Sequence, residues 1–227
     1  MFRHREVSRL EGFSDAVFGF ALTLLVVSLE TPKTFEDLKA QMAGFVPFAL
    51  MFAMVCWIWY EHNLFFRRYG LQDALTVFFN AILLFVVLFY VYPLRFLTTA
   101  LVGRQIMGDP NAPLIAPSDG PLLMLLYSVG VLLIFSTFLL LHWRAWSQRT
   151  VMGLTAVEET QLRYRARGHG ISAGLAVASL ILVFVLPSQS MWAGLIYGLM
   201  GPLHAWNGHA AGSAQEKLRK ASLAPAE

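Results

Sequence analysis

The chain has 227 residues, 57% hydrophobic and 14% charged, with a formal net charge of +3. A soluble domain carries about a quarter charged residues, and here the apolar excess falls in long blocks, so lipid is the implied solvent. The basic balance does not describe a nucleic-acid interface, because Lys and Arg stand between apolar blocks as orientation signals do. Cys56 is the only cysteine, which excludes an intrachain disulfide, and its apolar surroundings read as a small core position.

A membrane-crossing helix needs about 20 apolar residues. Six candidate spans follow in chain order, and the fold class expected is an all-α integral membrane protein. The first covers residues 9–29. Its basic start and apolar run look like a signal peptide, but the run is too long and no Ala-x-Ala site follows, so a retained helix is expected. The second covers 41–66, with Pro47 as a candidate kink. The third covers 74–101, with Pro93 near its outer end. The fourth spans 122–146, the fifth 171–186 and the sixth 191–206. The short link Pro187-Ser188-Gln189-Ser190 makes the last two antiparallel neighbours. Residues 103–120 read as a proline-rich outer loop. A six-helix domain over 1–206 is therefore expected, followed by a flexible cytoplasmic tail over 207–227.

Orientation follows from the cations. Thirteen of the Lys and Arg residues lie at the N-terminus, the second-to-third link, the fourth-to-fifth link and the C-terminus. Only four, Lys33, Lys39, Arg95 and Arg104, fall on the other side. This split places both termini in the cytoplasm of a plasma (inner) membrane, and an even number of spans requires them on one side. The basic run Arg163, Arg165 and Arg167 reads as a solvated or lipid-headgroup face.

Charges inside a span are costly and need partners or water. Glu11, Ser14 and Asp15 open the first span, Glu61 and His62 end the second, and Asp73 and Asn80 begin the third. The topology brings Asp15, His62, Asp73 and Asn80 to similar depth, with Trp57 and Trp59 near them. A hydrogen-bonded lock between the first three spans is the favoured reading, over a proton relay or a metal site. No His-x-x-x-His or Glu-x-x-His spacing supports a metal, and no nucleophile elbow or zinc helix supports an enzyme. At about 100° per residue, Phe20, Leu24 and Val27 share a stripe of the first span that excludes Ser14 and Asp15. Arg9 and Phe13 fall near the same stripe, which faces lipid, core or a pore.

The run Arg9-Leu10-Glu11-Gly12-Phe13-Ser14-Asp15 resembles the Arg-x-x-x-Phe-Ser-Asp signature of the prokaryotic relatives of the transmembrane protein 175 potassium channels. Ala16-Val17-Phe18 and Thr23-Leu24 fit that family's first helix. The stretch from Trp59 to Phe65, with His62, is similar to the end of its second, and Asn80 and Pro93 to its third. The resemblance implies a potassium-selective leak-type channel without a cofactor, permeated by potassium ions and assembled in the bilayer as a homotetramer around the first helices. It also implies a constriction of apolar side chains at Phe20, Leu24 and Val27, with Thr23 as the polar pore position. Phe20 departs from the Ile or Leu more usual there. Arg9, Phe13, Ser14, Asp15, Trp59, His62 and Asn80 then form the signature and structural cluster. Glu30, Glu36 and Asp37 stand where an outer mouth would concentrate cations. A proton-coupled transporter using Asp15, His62 and Asp73, and a non-conducting assembly protein, are the competing expectations.

Overall fold

A computed structural model describes residues 6–27, 32–106, 108 and 112–223. Among these the chain is helical, with no strand. Eight α-helices follow in order: α1 Arg9–Val27, α2 Phe35–Ala43, α3 Phe45–Tyr69, α4 Ala74–Thr98, α5 Gly120–Ser147, α6 Ala156–Val185, α7 Ser190–Leu195 and α8 Met200–Leu223. Among the described residues four stretches are long and apolar enough to cross a membrane by length and composition: Phe45–Tyr69, Ala74–Arg104, Gly120–Ser147 and Ala156–Val185. The contacts divide the chain into two compact units, and α4 contributes its first turns to one and the rest to the other.

In the first unit α1 packs on α3. The α1 residues that disappear from the surface are Glu11, Ser14, Phe18, Ala21 and Leu25. Their alternating three- and four-residue spacing is that of one helix face. Among the described residues three helices open with a reciprocal cap in which a hydroxyl accepts from the N–H three residues on, and the carboxylate of that later residue accepts from the N–H of the hydroxyl residue. Ser8 and Glu11 do this for α1, Thr34 and Asp37 for α2, and Thr155 and Glu158 for α6 in the second unit.

The second expected span is corrected at its start. Residues 41–43 belong to α2, and Gly44 separates them from α3. Pro47 therefore lies in the first turn of α3, where its missing N–H removes a donor that has no helical partner anyway. It kinks nothing there. At the other end Gly70 takes φ 58°, and its N–H donates to the Phe66 carbonyl, closing α3 in the left-handed conformation glycine favours. The expected loop after α4 is also corrected, because the helix continues as a π-helical stretch, Thr99–Ile106. Within it Gly103 comes so close to Ala112 that an added Cβ would lie 3.3 Å from the Ala112 Cβ. The Arg104 guanidinium donates to the Ala112 carbonyl at 2.9 Å.

In the second unit α6 packs against α7 and α8. It begins 15 residues before the expected fifth span, because the Thr155–Glu158 cap starts the helix well ahead of its apolar part. Arg163, Arg165 and Arg167 are thus helical rather than in a link. The expected sixth span is broken, since α7 gives way to a 3-10 stretch, Ile196–Leu199, before α8 begins. The segment read as a tail continues α8 to Leu223, so position 207 is not a structural boundary.

Serine hydroxyls tie this unit together. Ser179 donates to the Ala193 carbonyl at 2.8 Å and lies 2.8 Å from the Ser128 hydroxyl, linking α5, α6 and α7. Ser172 meets His204 at 2.9 Å, and the Asn207 amide donates to the Tyr164 carbonyl at 2.9 Å, linking α6 to α8.

Candidate functional site

The signature at the start of α1 divides by face. Ser14 is buried and donates back to the Leu10 carbonyl of its own helix at 2.8 Å. Asp15 accepts a 2.7 Å hydrogen bond from the Trp59 indole N–H, which ties α1 to α3. His62 is buried beside Phe18, with ring centroids 5.4 Å apart, and beside Phe66 at 4.7 Å. Asp15 and His62 thus join α1 to α3, through one hydrogen bond to a carboxylate and a packed aromatic–imidazole contact.

Arg9, Phe13, Ala16, Phe20 and Thr23 occupy the other face, and all are exposed. Phe18 is 1% exposed and Phe20, two residues on, is 58% exposed. Gly12 and Gly19 share the open face, where an added Cβ at either would meet nothing within 4 Å. The Thr23 hydroxyl donates to the Phe20 carbonyl at 2.8 Å. Leu24 sits at the edge of this face, half-buried. Val27 ends the helix, and its side chain lies outside the described residues, as does Glu30. Phe13 and Arg9 thus share the exposed face of Phe20, as the ideal wheel places them.

Asp73 and Asn80 belong to the second unit, where Asn80 is buried. Asp73 accepts from the Thr76 hydroxyl at 2.6 Å and from the Arg144 Nε at 2.9 Å. Partial burial works to raise its pKa, but the Thr76 and Arg144 hydrogen bonds outweigh that and hold the carboxyl below its usual range. The outer-mouth acids have local partners too. Asp37 is held low by the Thr34 hydroxyl and by the N–H groups of Thr34 and Lys33. Glu36 pairs with Lys39 at 2.6 Å.

Sequence reading passed over the polar core of the second unit. His142 and His169 are buried with ring centroids 4.8 Å apart, and Phe138 stacks on His169 at 4.8 Å. The available signal was the set of isolated histidines and serines in spans otherwise apolar. Among the described residues no group of His, Cys, Asp and Glu is arranged to hold a metal.

Long apolar helices with buried, hydrogen-bonded polar groups and a first helix exposed along one face define an all-helical membrane protein. Its relatives narrow the class. Residues 9–90 match the family described as endosomal/lysosomal potassium channel TMEM175. A potassium channel of Marivirga tractuosa is 38% identical over 213 residues, covering 89% of this chain and 86% of the relative. A potassium channel of Streptomyces collinus is 24% identical over 186 residues, covering 77% of this chain and 84% of the relative. The crystal structure of a threonine-to-alanine variant of the potassium channel MtTMEM175, bound to a nanobody–MBP fusion, superposes with a TM-score of 0.83. It is 36% identical and covers 94% of this chain and 97% of its own. A TMEM175 homologue from Chamaesiphon minutus shares the fold at TM-score 0.58 and 21% identity, over 92% of this chain and 99% of its own. The chain belongs to the TMEM175 potassium channel family.

Proposed function

We propose that four copies of this chain form a potassium-conducting channel in which each subunit crosses the plasma (inner) membrane six times, with both termini cytoplasmic. The open face of α1 carries this reading. It is apolar apart from Arg9 and Thr23 and helical in period, and it lies opposite the face that the subunit uses for its own packing. Gly12, Ala16 and Gly19 on that face allow close approach of a second helix. Phe20, Leu24 and Val27 form the constriction, with Thr23 as a polar position between apolar rings. Such rings gate by dewetting and make partial dehydration costly. Potassium holds its water less tightly than sodium, so the barrier favours potassium. Asp37 serves the α2 cap and Glu36 its pair with Lys39, so neither enters the ion path proposed here.

The relatives' names as potassium channels favour this reading over a transporter or an assembly protein. Purified protein in liposomes under a potassium gradient should give a current whose reversal potential follows potassium, and Phe20→Ala should enlarge it. No shift of the reversal potential would overturn conduction. Unchanged current from intact Phe20→Ala tetramers would move the constriction elsewhere.

A further inference from the structure

Two cavities in the second unit share one arginine. The first, about 510 Å³, is lined by Thr160, Arg163, Tyr164, Arg167 and Lys217 among others. The second, about 550 Å³, is a groove walled by apolar side chains of α5 and α6, including Leu139, Leu140, Trp143 and Leu162, with Arg163 in its lining. A cationic chamber thus adjoins an apolar groove, with Arg163 common to both.

The arginines are held by aromatic rings. Arg167 lies 4.1 Å from the Trp206 ring and Arg163 5.7 Å from the Trp146 ring. Among the described residues neither arginine nor Lys217 forms an ion pair. The carboxylates on the same helices are engaged elsewhere. Glu158 caps α6, Glu159 lies 3.9 Å from Arg149, and Glu216 pairs with Lys220 at 2.7 Å. The chamber therefore presents uncompensated positive charge.

Its depth fits a lipid headgroup. From Gly168 to Val185, α6 runs 18 residues without an Asp, Glu, Lys or Arg. That is roughly 27 Å of helix, close to the hydrocarbon thickness of about 30 Å. Arg163 and Arg167 then stand at the headgroup level, with Trp146, Tyr164 and Trp206 as interfacial aromatics.

We infer that this pair of cavities is a binding site for an anionic glycerophospholipid: Arg163, Arg167 and Lys217 take the phosphate, and the α5–α6 groove takes an acyl chain. The site rests on the chain being a membrane protein and not on ion conduction. Charge complementarity selects an anionic headgroup over a zwitterionic one, and the continuous apolar groove selects a lipid over a soluble phosphate.

The test is quenching of tryptophan fluorescence in the full-length protein, purified in neutral detergent, by lipids with brominated acyl chains. Brominated phosphatidylglycerol should quench at a lower concentration than brominated phosphatidylcholine, because Trp143 and Trp146 line the groove. Lys217→Gln, which removes no arginine–ring contact, should weaken the phosphatidylglycerol midpoint by about fivefold, the share of one interfacial cation. R163Q/R167Q/K217Q should abolish the preference, and Lys39→Gln on α2 should leave it intact. Equal midpoints for the two lipids in the unsubstituted protein would overturn the site, as would an unaltered preference in Lys217→Gln. Glycerol 3-phosphate that competes fully at millimolar concentration would replace the lipid with a soluble phosphate as occupant. None of these outcomes depends on potassium flux.

Discussion

Helices α1 and α6 begin alike and end differently. Each starts with a hydroxyl–carboxylate cap, at Ser8 and Glu11 and at Thr155 and Glu158. Beyond that point α6 is tied into its unit by Ser172 and Ser179. In α1 one face is packed and the opposite face, with Phe13, Phe20 and Thr23, is uncovered by its own chain. A helix with satisfied polar contacts to several neighbours acts as the frame of its unit. A helix with one apolar face left open needs an occupant from outside the subunit, and in this family a second copy of the same helix is the occupant we propose.

Truncations on the two faces of α1 should separate most widely. Phe18→Ala removes a buried aromatic ring and should cost about 3–5 kcal/mol of subunit stability. Phe20→Ala should stay within about 0.5 kcal/mol while changing current. Reversible unfolding in mixed micelles measures both, and equal losses would mean that the open face is packed after all. A smaller effect is expected in α6. Ser179→Ala deletes hydroxyl contacts to α5 and α7 and should cost about 0.6 kcal/mol, and at most about 1.7 kcal/mol, the range for hydrogen bonds between membrane helices. A cost near zero would show that Ser128 finds another partner and that α6 is framed by packing alone.

The smallest expected effect concerns pH. The folded Asp73 carboxyl is held below the ordinary range of an aspartate. Its contribution is therefore fully present above the pKa of the unfolded chain's aspartate and is lost as pH falls through the lower, folded pKa. Asp73→Asn should remove this acid-dependent part of the stability and leave the shape of the curve near neutral pH unchanged. An identical acid limb in the variant would assign that limb to other carboxylates.

Much of this was legible in the order of residues. Uninterrupted apolar blocks locate helices because an exposed backbone cannot be satisfied in lipid. The run from Arg9 to Asp15 resembles the family to which the relatives assign the chain. The Ser-x-x-Glu and Thr-x-x-Glu caps were equally legible, and went unread when hydropathy alone set the boundaries. Helices α6 and α8 therefore extend beyond their apolar parts: a helix continues past the apolar slab wherever its caps and side chains support it. Gly44 and the break at 196–199 also escaped a hydropathy window, because a chain can change helix type without becoming more polar.

The sequence by itself determined that the chain is helical and membrane-embedded, and that Arg9, Phe13, Ser14, Asp15 and Phe20 lie on one helix. Apolar content and period are local properties, and they survive without knowledge of neighbours. Only the tertiary structure decided which of those residues face inward. Trp59, 44 residues along the chain, bonds Asp15, and the packing of Ser14, Phe18, Ala21 and Leu25 leaves Phe13 and Phe20 on the exposed side. The local period divides the two faces, but which of them packs inward depends on a distant partner.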